Sequence, residues 1–495
     1  GLASTGLSVL IVVLLLAGWQ GTRAFAALER LLSPLLSIPH AAAAFGLAFL
    51  IAPSGWIARL FSPWATGWSR PPDLLIVQDP LGLSMILGLV IKEVPFLLLM
   101  SIAALPQTRA GAARMVSSAL GYGRVTAFLK TTLPRLYAQI RLPVYVVLAY
   151  AMSVVDVALI LGPTTPSTLS VQIIKWMSDP DLALRLQAAA GALLQLLLVG
   201  AAILVWRGLE VVCAWAGQRW IQSGARTASD GFWRAISIGL GGLVASLVFF
   251  GLFSLLVWSF AGFWRFPDFW PDGLSLRAWT QHGGNLMGLM RQTSWIATIS
   301  SLLALGLSLG CLEAEARFGL KTTTRALLLL YLPLLVPQTV FLPGLQTLLL
   351  GLNAPVGQSS VVAAHLIFVL PYVFLSLSDP YRAWDDRYRT VARALGAGET
   401  RVFLRVRLPM LLGSLLTALA VGIAVSVGQY LPTLLIGGGR VSTLTTEAVA
   451  LSAGGDRRAI GVFGLVQTLA VVLPFAVAIF LPRLIFARRR GVLDG

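Results

Sequence analysis

Long apolar runs recur from end to end of the chain, and they restrict its fold more than any other feature. They fall at roughly 2–19, 39–57, 81–105, 142–162 and 187–206. A second set follows at about 235–262, 292–312, 326–350, 359–378, 410–436 and 459–482. Crossing a hydrocarbon layer about 30 Å thick takes about 20 helical residues, the length of most of these runs. The 39–57 run is the weakest, because Pro53 and Gly55 interrupt its end.

Composition agrees: 57% of residues are hydrophobic and 12% charged, at a mean hydropathy of +0.83. Soluble domains carry about 25% charged residues, so water cannot be the solvent for this surface. Unbroken apolar runs must satisfy their backbone polar groups within each segment, which selects helices over a barrel. The expected class is an all-α polytopic membrane protein with about 11 spans.

The formal net charge of +17 would suit nucleic acid if it were spread over a soluble surface. It is not. Segments 20–38, 106–141, 207–234, 313–325, 379–409 and 483–495 carry 26 of the 37 Lys+Arg. The opposite loops carry 10, and Lys92 sits inside a span. By the positive-inside rule the rich side is cytoplasmic. This includes the C-terminus, with Arg483, Arg488, Arg489 and Arg490. Membrane lipid, not nucleic acid, is therefore the expected surroundings. The opposite loops hold Trp64 and Trp68, then Trp264, Phe266, Phe269, Trp270 and Trp279, which suits an outer interface or a partner-receiving surface. This orientation puts Gly1 outside. A helix preceding residue 1, giving 12 spans, is the simplest expectation, and a cleaved signal peptide competes with it. Cys213 and Cys311 fall near cytoplasmic ends, where no disulfide is expected, and three histidines in no ligand spacing predict no metal.

The chain is internally duplicated. Residues 115–134 read MVSSALGYGRVTAFLKTTLP and residues 390–409 read TVARALGAGETRVFLRVRLP, sharing nine of twenty residues without a gap at an offset of 275. The shared set includes Ala119/Ala394, Leu120/Leu395, Gly121/Gly396, Gly123/Gly398, Phe128/Phe403 and Pro134/Pro409. The offset persists to Gly162/Gly437 and to Ser167-Thr168-Leu169 against Ser442-Thr443-Leu444. Both copies lie on the basic side, so the repeats are parallel. Each predicts a short helix, a glycine turn, a second helix with a Phe-Leu ridge, and a Leu-Pro break before the next span. Solvated basic loops would not need this fixed Gly and Pro spacing.

The Gly-x12-Pro spacing, preceded by Ala-Leu-Gly and closed by Leu-Pro, resembles the EAA loop of permeases of binding-protein-dependent ABC importers. Two permease domains in one chain are similar to the ferric-iron and thiamine importers. The resemblance implies two homologous type I permease domains, 1–215 and 235–495, joined by a cytoplasmic linker at 216–234. It implies that 115–134 and 390–409 seat on two ABC ATPase subunits, which would hold ATP and Mg. A solute-binding protein would meet the outer loops, in a bacterial inner membrane. The sequence departs from the pattern where Met115 and Thr390 replace the naming glutamate, and where Val116 and Val391 replace its first alanine. No phosphate loop is present; the nearest string, Phe318-Gly319-Leu320-Lys321-Thr322, has the wrong order. No catalytic or cofactor site is expected in this chain.

Within the spans, Lys92, Glu93 and Asp156 are ionisable, His365 is neutral-capable, and Gln429 lies near the counterpart of Asp156. Intramembrane charges mark a pathway or a compensated pair. Two readings stand: Lys92 or Arg141 neutralises Glu93 or Asp156, or the two carboxylates face a solute in the pore. Pro95 and Pro371 are expected to kink matching spans. Segments 163–186 and 438–458 are expected to be re-entrant or interfacial. The rival function is a secondary transporter with internal repeats, which would not need two docking loops.

Overall fold

The computed structural model describes residues 1–32, 34–226 and 230–485, so Arg488, Arg489 and Arg490 lie outside the described residues. Among the described residues the regular elements are helices, with two isolated β-bridges in loops. Eight helical stretches are long and apolar enough to cross a membrane: Leu2–Trp19, His40–Phe61, Leu83–Thr108, Leu184–Gln222, Gly231–Phe260, Arg277–Phe318, Gln358–Arg382 and Arg457–Ile485. Two bent pairs bring the number to ten if each is one span.

The bends have local causes. Arg325–Leu335 meets Gln338–Gly351 at 101°, where the sequence reads as one continuous run over 326–350. Pro337 has no N–H to continue the helix, and it forces Val336 into extended backbone at φ −83°, ψ 128°. Glu399–Met410 meets Leu412–Val427 at 74°, turning at Leu411. The run at 142–162 is divided between Leu133–Ser153, which carries Arg135 and Arg141, and the short helix Asp156–Leu161. The eleven sequence runs thus correspond to eight spanning stretches, two bent pairs and this divided one, and within His40–Phe61 the helix is interrupted over 52–55, beside Pro53 and Gly55. Pro95 and Pro371 both lie inside uninterrupted helices.

The duplication is visible in the backbone. At the same offset of 275, helices begin at Leu83 and Gln358, at Leu133 and Leu408, and at Leu169 and Leu444. The last two, Leu169–Ser178 and Leu444–Ser452, occupy the segments expected to be interfacial, and each buries one face. Leu184–Gln222 and Gly231–Phe260 extend into 216–234 from either side, so much of the expected linker is helical.

Gly231–Phe260 packs on His40–Ile51 and Leu2–Trp19 of the first half as well as on Arg457–Ile485 of the second. It approaches His40–Ile51 backbone to backbone. A Cβ on Gly46 would lie 2.7 Å from the Gly251 carbonyl carbon, so a larger residue would separate the helices. Between the halves, Val155, Ala158 and Val171 pack with Leu342, Val361, Phe368 and Leu431 in one apolar cluster. Of the loop aromatics, Trp264 and Phe266 are buried, whereas Trp64, Phe269 and Trp270 are exposed. Arg59 donates to the carbonyls of Arg265 and Asp268 and lies 4.7 Å from the Trp264 ring, and Trp56 stacks on Phe269.

Candidate functional site

Each duplicated loop folds into the same elbow. The first begins with helix Ala110–Ala119 and the second with Arg387–Ala394. Both end in a Schellman-type cap: Tyr122 N–H donates to Ser117 O at 3.1 Å, and Ala397 N–H to Ala392 O at 3.0 Å. The cap requires left-handed backbone at its corner, where Gly121 has φ +77° and Gly396 φ +82°. Nothing lies within 4 Å of a Cβ built on either glycine, so the requirement is conformational and the space beside it is open. Gly123 and Gly398 are extended and start the next short helices, Arg124–Ala127 and Glu399–Val402. One π-helical turn follows in each, Phe128–Thr132 and Phe403–Arg407. The expected Leu-Pro break is not there: helical backbone runs from Arg124 through Pro134 to Ser153, with the π-helical turn accommodating a residue that has no N–H, and in the second copy the turn falls at Leu411, after Pro409.

The elbows present apolar side chains outward. Leu120 and Leu395 are 52% and 83% exposed, and Met115, Val116 and Val391 are exposed beside them. Ala119 and Ala394 are exposed as well. Phe128 is buried in the bundle, and Phe403 is half-buried beside Arg317. The outward ridge is therefore the pre-glycine leucines, joined at the second elbow by the exposed Leu404, while the phenylalanines anchor each elbow to its own half. Both elbows lie at one end of the bundle. Val125 N–H donates to Asp230 at the start of Gly231–Phe260, and Arg317, at the end of the returning helix Arg277–Phe318, lies against Phe403.

Their surroundings differ. At the first elbow the buried Lys130 donates to Trp220 O at 3.0 Å and Ala225 O at 2.8 Å, and lies 4.6 Å from the Trp220 ring. Arg124 donates to Gln20 O. At the second elbow Glu399 pairs with Arg389 at 3.0 Å and Arg393 at 3.2 Å. The hydrogen bond from Arg389 holds the Glu399 carboxyl below its ordinary range. Arg407 pairs with Glu313 at 3.2 Å and packs between the rings of Tyr381 and Trp384.

The intramembrane charges do not form the ion pairs that the sequence reading offered. Lys92 donates to the carbonyls of Leu35, Leu36 and Ile38 at 2.5–3.3 Å, closing the C-terminal side of a short turn. Glu93 accepts from Ser4 at 3.1 Å and Ser8 at 2.8 Å, so it joins Leu83–Ala104 to Leu2–Trp19. Arg141 pairs with Glu210 at 3.3 Å. Asp156 is buried at the N-terminus of its short helix, where the backbone dipole favours a carboxylate. Gln429 is buried and accepts from Gln338 at 3.3 Å. Lys92, Glu93 and Gln429 therefore go to separate partners, and Asp156 stands apart from them.

Other buried polar contacts had no sequence signal beyond residue type. His365 bonds Ser426 at 2.8 Å and Thr433 at 2.9 Å, tying Gln358–Arg382 to both Leu412–Val427 and Leu431–Gly437. Gln195 of the first half accepts from Thr339 of the second at 2.9 Å. Cys213 and Cys311 are free.

Residues 280–491 match the family described as "Binding-protein-dependent transport system inner membrane component". The chain is 30% identical over 495 residues to the inner membrane ABC transporter permease protein YnjC of Escherichia coli, covering 99% of this chain and 88% of that one. It is 31% identical over 134 residues to the molybdate/tungstate transport system permease protein WtpB of Thermococcus kodakarensis, covering 26% and 53%. A putative 2-aminoethylphosphonate transport system permease protein, PhnV of Salmonella typhimurium, is 26% identical over 215 residues, covering 41% and 79%.

Proposed function

Because this chain belongs to the inner-membrane permeases of binding-protein-dependent ABC transport systems, we propose that it supplies both halves of a solute pore driven by two separate ATPase subunits. The halves are 1–215 and 235–495, joined through 216–234. ATP and Mg belong on the partner subunits, and the elbow end, with the C-terminus, faces the cytoplasm. A binding protein delivers the solute to the opposite end.

One observation carries this reading: the same elbow, with the same corner glycine and outward leucine, appears twice at one end of the bundle. Two identical docking shapes suit two copies of one ATPase. Residues 115–134 and 390–409 are then the coupling segments, with Ala119, Leu120, Gly121 and Gly123, and Ala394, Leu395, Gly396 and Gly398, near the contact. Phe128, Pro134, Phe403 and Pro409 brace them from within. ATP-driven closure of the ATPase pair would move both elbows and rock the halves about the apolar cluster between them, giving alternating access. Lys92 and Glu93 suit a structural role on their bonding, and Asp156 and Gln429 remain the pore candidates.

Relatives named for molybdate, tungstate and 2-aminoethylphosphonate share a tetrahedral oxyanion group, the solute class we carry to this chain. The test is reconstitution with a partner ATPase that co-purifies with the chain. ATP-dependent uptake that fails when Leu120 and Leu395 are changed to Asp supports the reading. Uptake without ATP would support a secondary transporter instead.

A further inference from the structure

Away from the elbows, a cavity of about 550 Å³ opens at the other end of the second half. Arg277–Phe318 contributes Asn285, Arg291 and Gln292 from its first turns, and Gln358 comes from the start of Gln358–Arg382. Arg440 and Ser442 come from the turn after Leu431–Gly437. Both long helices finish at the elbow end, so this cavity lies at the opposite mouth.

Its chemistry is one-sided. Two guanidiniums, three side-chain amides and a hydroxyl line it, and no carboxylate does. Glu447 reaches the lining only through Asn285, which donates to it at 3.5 Å. Among the described residues, neither Arg291 nor Arg440 makes a side-chain hydrogen bond or ion pair. Several other arginines are paired, Arg141 and Arg207 with Glu210, Arg317 and Arg407 with Glu313, and Arg382 with Glu315. Both guanidiniums are exposed to solvent, and on one concave surface they sum to a positive potential that draws small anions. Their planar N–H forks match the paired oxygens of an oxyanion, and the amides can complete its hydrogen bonds. The concavity favours a small ion over a flat protein surface.

We infer that this cavity is an outer binding site for a small tetrahedral oxyanion on its way into the pore. The assignment rests on the permease reading above for its direction, outer mouth to pore, and not for its chemistry. Asn285, Gln292 and Gln358 orient the anion between Arg291 and Arg440, and Ser442 donates from the turn.

The test uses the full chain purified in a maltoside detergent, with radiolabelled sulfate as probe, methylphosphonate as competitor and chloride at matched ionic strength. Saturable sulfate binding displaced by methylphosphonate is expected. Replacing both arginines (Arg291→Gln with Arg440→Gln) should weaken it at least about tenfold, since each removes a charge-assisted hydrogen-bonding group. The paired Arg→Lys variant keeps the charge and should fall between the two, which separates loss of the site from misfolding. Absent binding, or binding unchanged in the glutamine variant, overturns the inference. So does arginine-dependent binding of phosphatidylglycerol without sulfate binding, which would make this a headgroup site. Loss of binding-protein stimulation with sulfate binding intact would make it a docking surface and overturn it equally. ATPase association at the elbows is measured separately, so failure here leaves the permease reading standing.

Discussion

Lys130 and Arg405 occupy the same position in the two elbows, at the offset of 275, yet one is buried and the other exposed. Lys130 reaches back to the carbonyls of Trp220 and Ala225, at the end of the helix that leads to the second half. Asp230, just beyond, accepts from the Val125 amide. The first elbow is thus pinned to the connection between halves. Among the described residues the second is held by charge pairs: Glu399 with Arg389 and Arg393, and Glu313 with Arg317 and Arg407. One backbone shape is kept by two different anchors. Backbone geometry is dictated by glycine and proline, whereas the anchoring is free to follow whatever chain lies nearby.

The contrast breaks most readily at the lysine. Lys130→Met should lower stability by about 2–3 kcal/mol, because two carbonyls lose a charged donor. Arg405→Met should change it by less than about 0.5 kcal/mol, as expected for an exposed side chain. Thermal unfolding of the purified protein in detergent reads both, and equal shifts would remove the distinction. Next in size is Arg407→Ala, at about 2 kcal/mol, from a lost charged hydrogen bond and lost ring packing. The loss should be local, seen as faster proteolytic cleavage within 387–410 while the first elbow keeps its native cleavage rate.

Among the paired side chains the smallest effect belongs to Glu399. Glu399→Gln should cost no more than about 1 kcal/mol, shrinking in high salt because the pair is partly exposed. Its carboxyl titrates below the ordinary 4.5 in the folded chain. The stabilisation is therefore fully present above that value and lost as pH falls through the lower folded one. A melting series at falling pH, compared with the glutamine variant, should show the two curves converge in acid. Curves that stay parallel would deny the pair any contribution.

The elbows could be read in the sequence because Gly121, Gly396, Pro134 and Pro409 impose backbone geometry wherever they stand. The offset between copies then supplied an internal check. Anchors such as Lys130 could not, since its partners are carbonyls some 90 residues away that every residue type carries. Glu93 is similar: Ser4 and Ser8 are ordinary in an apolar helix until packing turns them toward a carboxylate. The 101° break had a signal in Pro337, but hydropathy continued through it and masked the turn. Arg291 and Arg440 look like any loop arginines until three separated segments bring them to one cavity.

Whether both elbows transmit the ATPase stroke is settled most directly by their corner glycines. Valine at Gly121 or at Gly396 would sit in left-handed backbone that a branched side chain rarely adopts. Each single variant is placed in the full transporter with its ATPase and binding protein, and uptake and ATP hydrolysis are measured on the same vesicles at equal incorporation. The account predicts that either substitution alone lowers uptake at least about tenfold per ATP hydrolysed, since one loose half is enough to stop the pore from alternating. Native uptake per ATP in either variant would contradict it.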